Sequence, residues 1–463
     1  MKKIFFTLIG LIVFTSCSDS FTDLAPISNR NEADFYKNSD DFISAINSSY
    51  RGLLANGVYG RAYWTMFEMR SDNTDQGPDQ TGLASQFKEI NSFTENALNE
   101  YVESAWSGSY RVIANNNVIL SRIDPIEMDA TLKNRIIGEA LFLRSLMYYH
   151  LAVAFENIPL QLIAFKPGDK LTQVRSSEVY NQLITDLIKA EANLGVSYSD
   201  VNKGRATKGA AATLLAKVYL TVGKKSEAEV VLRRIKNTYN YRLLNDYSAL
   251  WGKVNENNAE SIFEVQFLSG GISQGSSFTN DFSPSASLQT GQGFGRNRPT
   301  ESMRNDYLVN DKRFNPSMGA KWVNLSGTTI TQNYIKKYFS NPPLENDSDI
   351  NFVVFRYADV LLMLSEAIGE SNESYSYINE VRNRAGLANI DQTTPGSFKE
   401  KLLKERRVEL AFENHRFADL KRFGVLKEKV LAAEPFIESS RIRESFLIPQ
   451  RELDINKNFV QNK

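Results

Sequence analysis

Eight carboxylate and guanidinium side chains crowd residues 405–422: Glu405, Arg406, Arg407, Glu409, Glu413, Arg416, Asp419 and Arg422. Carboxylates and guanidiniums at this density could serve acid–base or phosphate chemistry. Their i,i+3 and i,i+4 spacings instead bring opposite charges together on a helix. Charges that end up buried persist when they are paired. The cluster therefore reads as a structural ion-pair network. The chain has two histidines, His150 and His415, and one cysteine, Cys17. So few nitrogen and sulfur donors give no basis for a zinc or transition-metal site. Neither the H-E-x-x-H pattern of zinc proteases nor a P-loop is present.

The run Asp72-Asn73-Thr74-Asp75-Gln76-Gly77-Pro78-Asp79 offers oxygen ligands around a glycine turn, as a calcium loop does. Its acidic spacing departs from the EF-hand pattern and the bidentate glutamate is missing. A polar turn is the better reading, structural calcium has no support, and no cofactor is expected.

Sugars present two handles to a protein: C–H faces that pack on aromatic rings, and hydroxyls that bond to charges and amides. Two stretches carry both kinds of partner. The first holds Arg61, Tyr63, Trp64, Asp72, Asn73, Asp75 and Phe87, and the second holds Phe278, Phe294, Trp322 and Tyr334. These eleven residues are the candidate ligand-binding set. Burial competes with recognition for every aromatic among them. Trp106 matches a helical core spacing, and Trp251 precedes a strand-like segment. Both are assigned to packing.

Cys17 closes the one hydrophobic run near the start of the chain. Lys2 and Lys3 precede an apolar stretch of about 11 residues, against the roughly 20 that span a bilayer, and Thr15 and Ser16 follow it. This order reads as a signal peptide over 1–16 ending in a lipobox, with Cys17 lipidated. Residues 17–30 then read as a polar tether carrying Pro26, which would anchor the body to a membrane rather than thread it through.

The elements that must position these residues are mainly helical. Lys+Arg and Asp+Glu number 54 each, and a charge this near zero excludes the phosphate-neutralising surface of a nucleic-acid binder. Apolar residues recur at helical period over 40–54, 100–123, 130–155 and 178–194, the last capped by Ser176 or Ser177. Residues 207–237 form two helices broken at Gly223, and 357–369 with 372–385 repeat that layout, as tetratricopeptide units do. Ser397 and Glu400 form a capping box opening a helix over 398–413. Alternation over 262–267 predicts a strand, and 322–325 with 328–330 predict a hairpin around Ser326-Gly327. The fold class expected is mainly α: a helical scaffold of tetratricopeptide-like pairs with loop-rich insertions and a few short strands. One domain is expected over 31–463, with its insertion at about 268–345.

Five phrases, in series, resemble the SusD/RagB family of outer-membrane nutrient-binding lipoproteins. They are GEALFLRSLMYYHLAVAFENIPL at 138–160, GRATKGAAATLLAKVYL at 204–220, VFRYADVLLMLSEAIG at 354–369, LKERRVELAFENHRFADLKRFG at 403–424 and LIPQRELDINKNFVQN at 447–462. One departure is Glu156-Asn157, where that family usually has a glycine. The resemblance implies a surface lipoprotein, anchored in outer-membrane lipid through Cys17, that captures oligosaccharides. It also implies a partner, a SusC-like TonB-dependent barrel, and no enzymatic activity. A peptide-binding branch of the same family and a protein-interaction scaffold are the alternatives.

Overall fold

The computed structural model describes residues 35–77, 82–166, 168–169, 171–284, 288, 293–342 and 344–462. Cys17, the expected signal peptide and the tether lie outside the described residues. Among the described residues the chain is mainly helical, with eight strands in four two-stranded antiparallel ribbons. The strands are β1 (Thr74–Asp75), β2 (Ile158–Pro159), β3 (Gln173–Val174), β4 (Ser261–Val265), β5 (Arg298–Pro299), β6 (Met318–Val323), β7 (Thr329–Ile335) and β8 (Phe352–Arg356).

The helices stack in series. Glu100–Arg122 packs on Ala130–Phe155, which packs on Ser176–Asn193, and the contacts continue to Lys208–Thr221 and Lys225–Thr238. The next helix in the stack, Tyr357–Ile368, lies more than a hundred residues further along, and Asn372–Arg384 packs on it in turn. The intervening chain is thus inserted between two neighbouring layers of one stack. Ala130–Phe155 is apolar on all sides and long enough to cross a membrane, yet it is the central core helix, buried along most of its length. Gly223 adopts φ +76° between the two helices of the expected pair, a backbone state that favours glycine.

Two helix ends differ from the sequence expectation. Arg175 holds the cap position of Ser176–Asn193 without a side-chain bond, so the helix starts one or two residues earlier than serine capping implied. The capping box of Ser397 and Glu400 is present, but its helix stops at Glu409 rather than 413. Phe412 and Asn414 take left-handed φ values of +67° and +64° and turn the chain there. The helix Ala130–Phe155 keeps its expected bounds and is followed by Glu156 at φ +61°, where the resembling family usually has a glycine.

The charged cluster is buried and paired throughout. Arg406 lies 2.9 Å from Asp359 and 2.8 Å from Asp419, and Arg422 lies 2.6 Å from Glu366. Arg356 reaches Glu260 at 3.0 Å, Glu413 at 2.7 Å, and also Glu409. Arg313 joins Glu405 at 2.5 Å and Glu409 at 3.1 Å. This is the structural network expected, extended by Glu260, Arg313, Arg356 and Asp359 from other parts of the chain. It ties the inserted segment to the helical stack.

Candidate functional site

Six of the eleven candidate residues belong to the interior. Tyr63, Trp64, Asp72, Asn73, Phe87 and Phe278 are each 2% exposed or less, so they cannot form a ligand face. Their surroundings explain why. Trp64 and Tyr63 sit on the six-residue helix Ala62–Phe67, every residue of which is buried between the helical body and the insertion. Tyr63 bonds Ser109 at 2.8 Å. Phe278 packs on Phe267, Phe282 and Tyr338.

Asp72 and Asn73 moor the insertion. The Asp72 carboxylate accepts from Arg416 at 2.7 and 2.8 Å. Burial alone would raise this carboxyl, but Arg407 and Arg416 hold it well below the usual carboxylate range. Arg407 donates to Asn73 Oδ1 at 3.0 Å and to the Asp72 carbonyl at 2.5 Å. Thr300 bonds both residues' carbonyls at 2.9 Å, and β1 then pairs with β5. The described part of that run, 72–77, is therefore a largely buried strand edge rather than a calcium loop. Among the described residues no group of His, Cys, Asp and Glu is arranged to hold a metal. Pro78 and Asp79 lie outside the described residues.

Arg61, Asp75, Phe294, Trp322 and Tyr334 are partly exposed. Trp322 and Tyr334 come together on the hairpin of β6 and β7, ring centroids 5.8 Å apart and edge to face. Gly319 pairs with Tyr334 across the ladder, and the ring lies over it so closely that a Cβ there would stand 2.4 Å from the ring. Gln332 precedes Tyr334 by two residues and so shares its face of β7. It packs on Gly295, between Phe294 and Arg296. Asn333, on the opposite face, donates to the Pro299 carbonyl at 3.1 Å and to Glu301 at 2.8 Å, locking the hairpin to β5.

Phe294 ends a stack that runs outward from the core. Trp64 lies parallel to Phe87 at 5.4 Å, and the Arg296 guanidinium follows at 4.9 Å from Phe87 and 4.3 Å from Phe294. Arg296 and Arg61 both pair with Asp281, at 2.7 and 3.0 Å, and Asp281 is fully buried. Trp64 and Phe87, misassigned to the ligand, thus support the residue that does reach the surface. Asp75 stands apart from this shelf, 4.0 Å from Arg298, its carboxyl raised by burial.

Arg296, Gln332 and Asp281 were not among the sequence candidates. The signal for Arg296 was present in Phe294-Gly295-Arg296, an aromatic and a cation flanking a glycine in a polar stretch. Gln332 could be read from its two-residue spacing to Tyr334. Asp281 carries little local signal, because Ser277 donates to it from within the same short helical turn while its arginine partners, Arg296 and Arg61, lie outside that turn. A G-x-S-x-G pattern also occurs, at residues 271–275. Its Ser273 is exposed on an irregular loop. The two histidines that could serve as a base are both engaged, half-buried His150 with Tyr59 at 2.8 Å and buried His415 with Lys217 at 3.2 Å.

The surface so built is a shelf of half-exposed aromatic rings beside an amide and a paired guanidinium. Residues 324–463 match the SusD family, and residues 25–220 match a family described as starch-binding associating with outer membrane. The whole chain is 29% identical to the SusD-like protein P2 of Formosa agariphila, over 99% of that protein. A SusD-like protein of Bacteroides ovatus is 27% identical over 91% of this chain and 82% of its own length. Among solved structures, a laminarin-binding SusD-like protein superposes with TM-score 0.81 at 28% identity, covering 92% of this chain and 99% of that one. A SusD superfamily protein from Bacteroides vulgatus gives 0.78 at 27% identity, with the same coverage.

Proposed function

The chain belongs to the SusD family, and on that premise we propose that it binds oligosaccharides on the shelf of Phe294, Trp322 and Tyr334 and passes them to a TonB-dependent outer-membrane barrel. The observation that carries the reading is the edge-to-face pair of Trp322 and Tyr334, half-exposed on a hairpin locked from behind by Asn333. Rigid rings give sugar C–H faces a surface without an ordering cost at binding. Gln332 supplies hydroxyl contacts, and Arg296 is fixed by its ion pair and by both flanking rings. The laminarin-binding relative supports a glucan-type ligand.

A peptide ligand would call for unpaired charge, whereas the two arginines here share one buried aspartate. Capture without cleavage fits the same geometry. Glycoside hydrolysis needs two carboxyl groups flanking the sugar, and Asp281, the carboxylate beside the shelf, is buried under two arginines. Ser273 has neither histidine as a base. Placement at the outer membrane follows from the lipidation proposed at Cys17. The single domain proposed over 31–463 presents the shelf on its insertion.

Isothermal titration of the mature protein with laminari-oligosaccharides tests this. Trp322→Ala and Tyr334→Ala should each weaken binding about fivefold or more, since a well-placed ring contact contributes on the order of 1 kcal/mol. Unchanged affinity in both variants, or release of shortened products, would refute the reading.

A further inference from the structure

A second concave site opens on another side of the helix Glu100–Arg122. Tyr101, near the start of that helix, stacks on Phe87 at 4.2 Å and belongs to the shelf side. Trp106 follows five residues on, about 140° around the helix axis, and lies, 3% exposed, beneath a hollow of about 290 Å³. Tyr110 lies 5.1 Å from Trp106 and Phe459 lies 6.5 Å from it. Phe165 stands on the rim, 53% exposed. The polar side chains of the lining are Gln161 and Glu452, with Ser107 and Asn117.

We propose that this hollow is a second carbohydrate site, taking a single pyranose ring. The accessible rings of Tyr110, Phe165 and Phe459 supply flat apolar surface for one face of a sugar, with Trp106 packed beneath them. Glu452 would accept from a hydroxyl, and its carboxyl is already oriented by a bond from the Trp106 indole. The Gln161 amide has no hydrogen-bond partner among the described residues, although its backbone N–H and carbonyl are both engaged by Tyr148. Tyr110 donates its proton to the Pro159 carbonyl at 2.8 Å, which leaves its oxygen as an acceptor. Ligand pockets run from roughly 300 to 1,000 Å³, so the volume suits one ring and not an extended chain. Apolar side chains left exposed around a concavity with convergent polar groups are the usual mark of a binding site. The assignment stands independently of the shelf.

The test uses the mature full-length protein carrying Trp322→Ala and Tyr334→Ala, so that the shelf contributes nothing. Saturation-transfer NMR with glucose, galactose, mannose and xylose should show transfer to at least one of them. Adding Phe165→Ala and Glu452→Gln should cut that signal at least fivefold while the melting temperature stays within a few degrees. No transfer to any of the four sugars, transfer that survives the pocket substitutions, or transfer to octanoate alone would overturn the proposal. Its failure would leave the titration results for the shelf untouched.

Discussion

His150 is half-buried and His415 buried, and loss of hydration pushes them down to about 3 and about 4. Lys217 adds to the effect on both, while Asp359, Glu413 and Asp419 oppose it at His415. The unfolded chain takes up these protons near pH 6.5 and the folded chain declines them, so each histidine costs stability as pH falls below that value. Glu68 and Glu139 act in the opposite sense. Burial raises both to about 7, so their contribution is present in acid and is lost as pH rises from the usual carboxylate range through 7. The two effects offset one another in the wild type, and a variant is needed to separate them. His415→Asn keeps an acceptor for Lys217 and removes the titration. Measured by denaturant unfolding, its stability relative to wild type should be about 2 kcal/mol more favourable at pH 5 than at pH 7.5. An equal difference at both pH values would show that His415 titrates normally in the fold.

At the scale of elements, the β6–β7 hairpin depends on a position that has no side chain. Gly319 lies under the Tyr334 ring, and Gly319→Ala would put a methyl group 2.4 Å from it. The ring is at a partly exposed edge and can swing away, which breaks its contact with Trp322 but disturbs little of the core. Oligosaccharide affinity should fall several-fold while the melting temperature stays within about 2 °C; a large thermal loss with intact affinity would contradict this. The helices of the stack were legible because each buries one stripe or is buried outright, which leaves a period in the sequence. The hairpin was legible from its turn, though it proved longer than 322–330. β1, β5 and β8 were not, since two of them are only two residues long and β8 is buried on both faces without alternation. The Ala62–Phe67 helix failed for a related reason. A short segment enclosed on every side has no polar face, so its aromatics resemble an exposed aromatic patch when read as sequence.

For the molecule as a whole, the ion-pair network divides the labour. Arg407 and Arg416 fasten the 72–75 segment, Arg356 and Arg313 fasten the chain around β8 and β6, and the hairpin tip projects beyond these moorings. The tip gives the core little: Val323 and Leu325 are 60% and 64% exposed, and residues 326–329 are exposed throughout. Function and stability should therefore be separable by surgery. Replacing residues 322–330 with an Asn-Gly turn joins the native pair Lys321↔Thr331 and so keeps Met318↔Ile335, Gly319↔Tyr334 and the Asn333 bonds to β5 and Glu301. It removes Trp322. Circular dichroism should show helix content unchanged, and the melting temperature should drop by no more than a few degrees, because no buried charge loses its partner. Oligosaccharide binding should fall at least tenfold. If the variant instead unfolds cooperatively at a much lower temperature, the tip is part of the load shared by the helical stack, and the shelf is not an appendage that the scaffold merely carries.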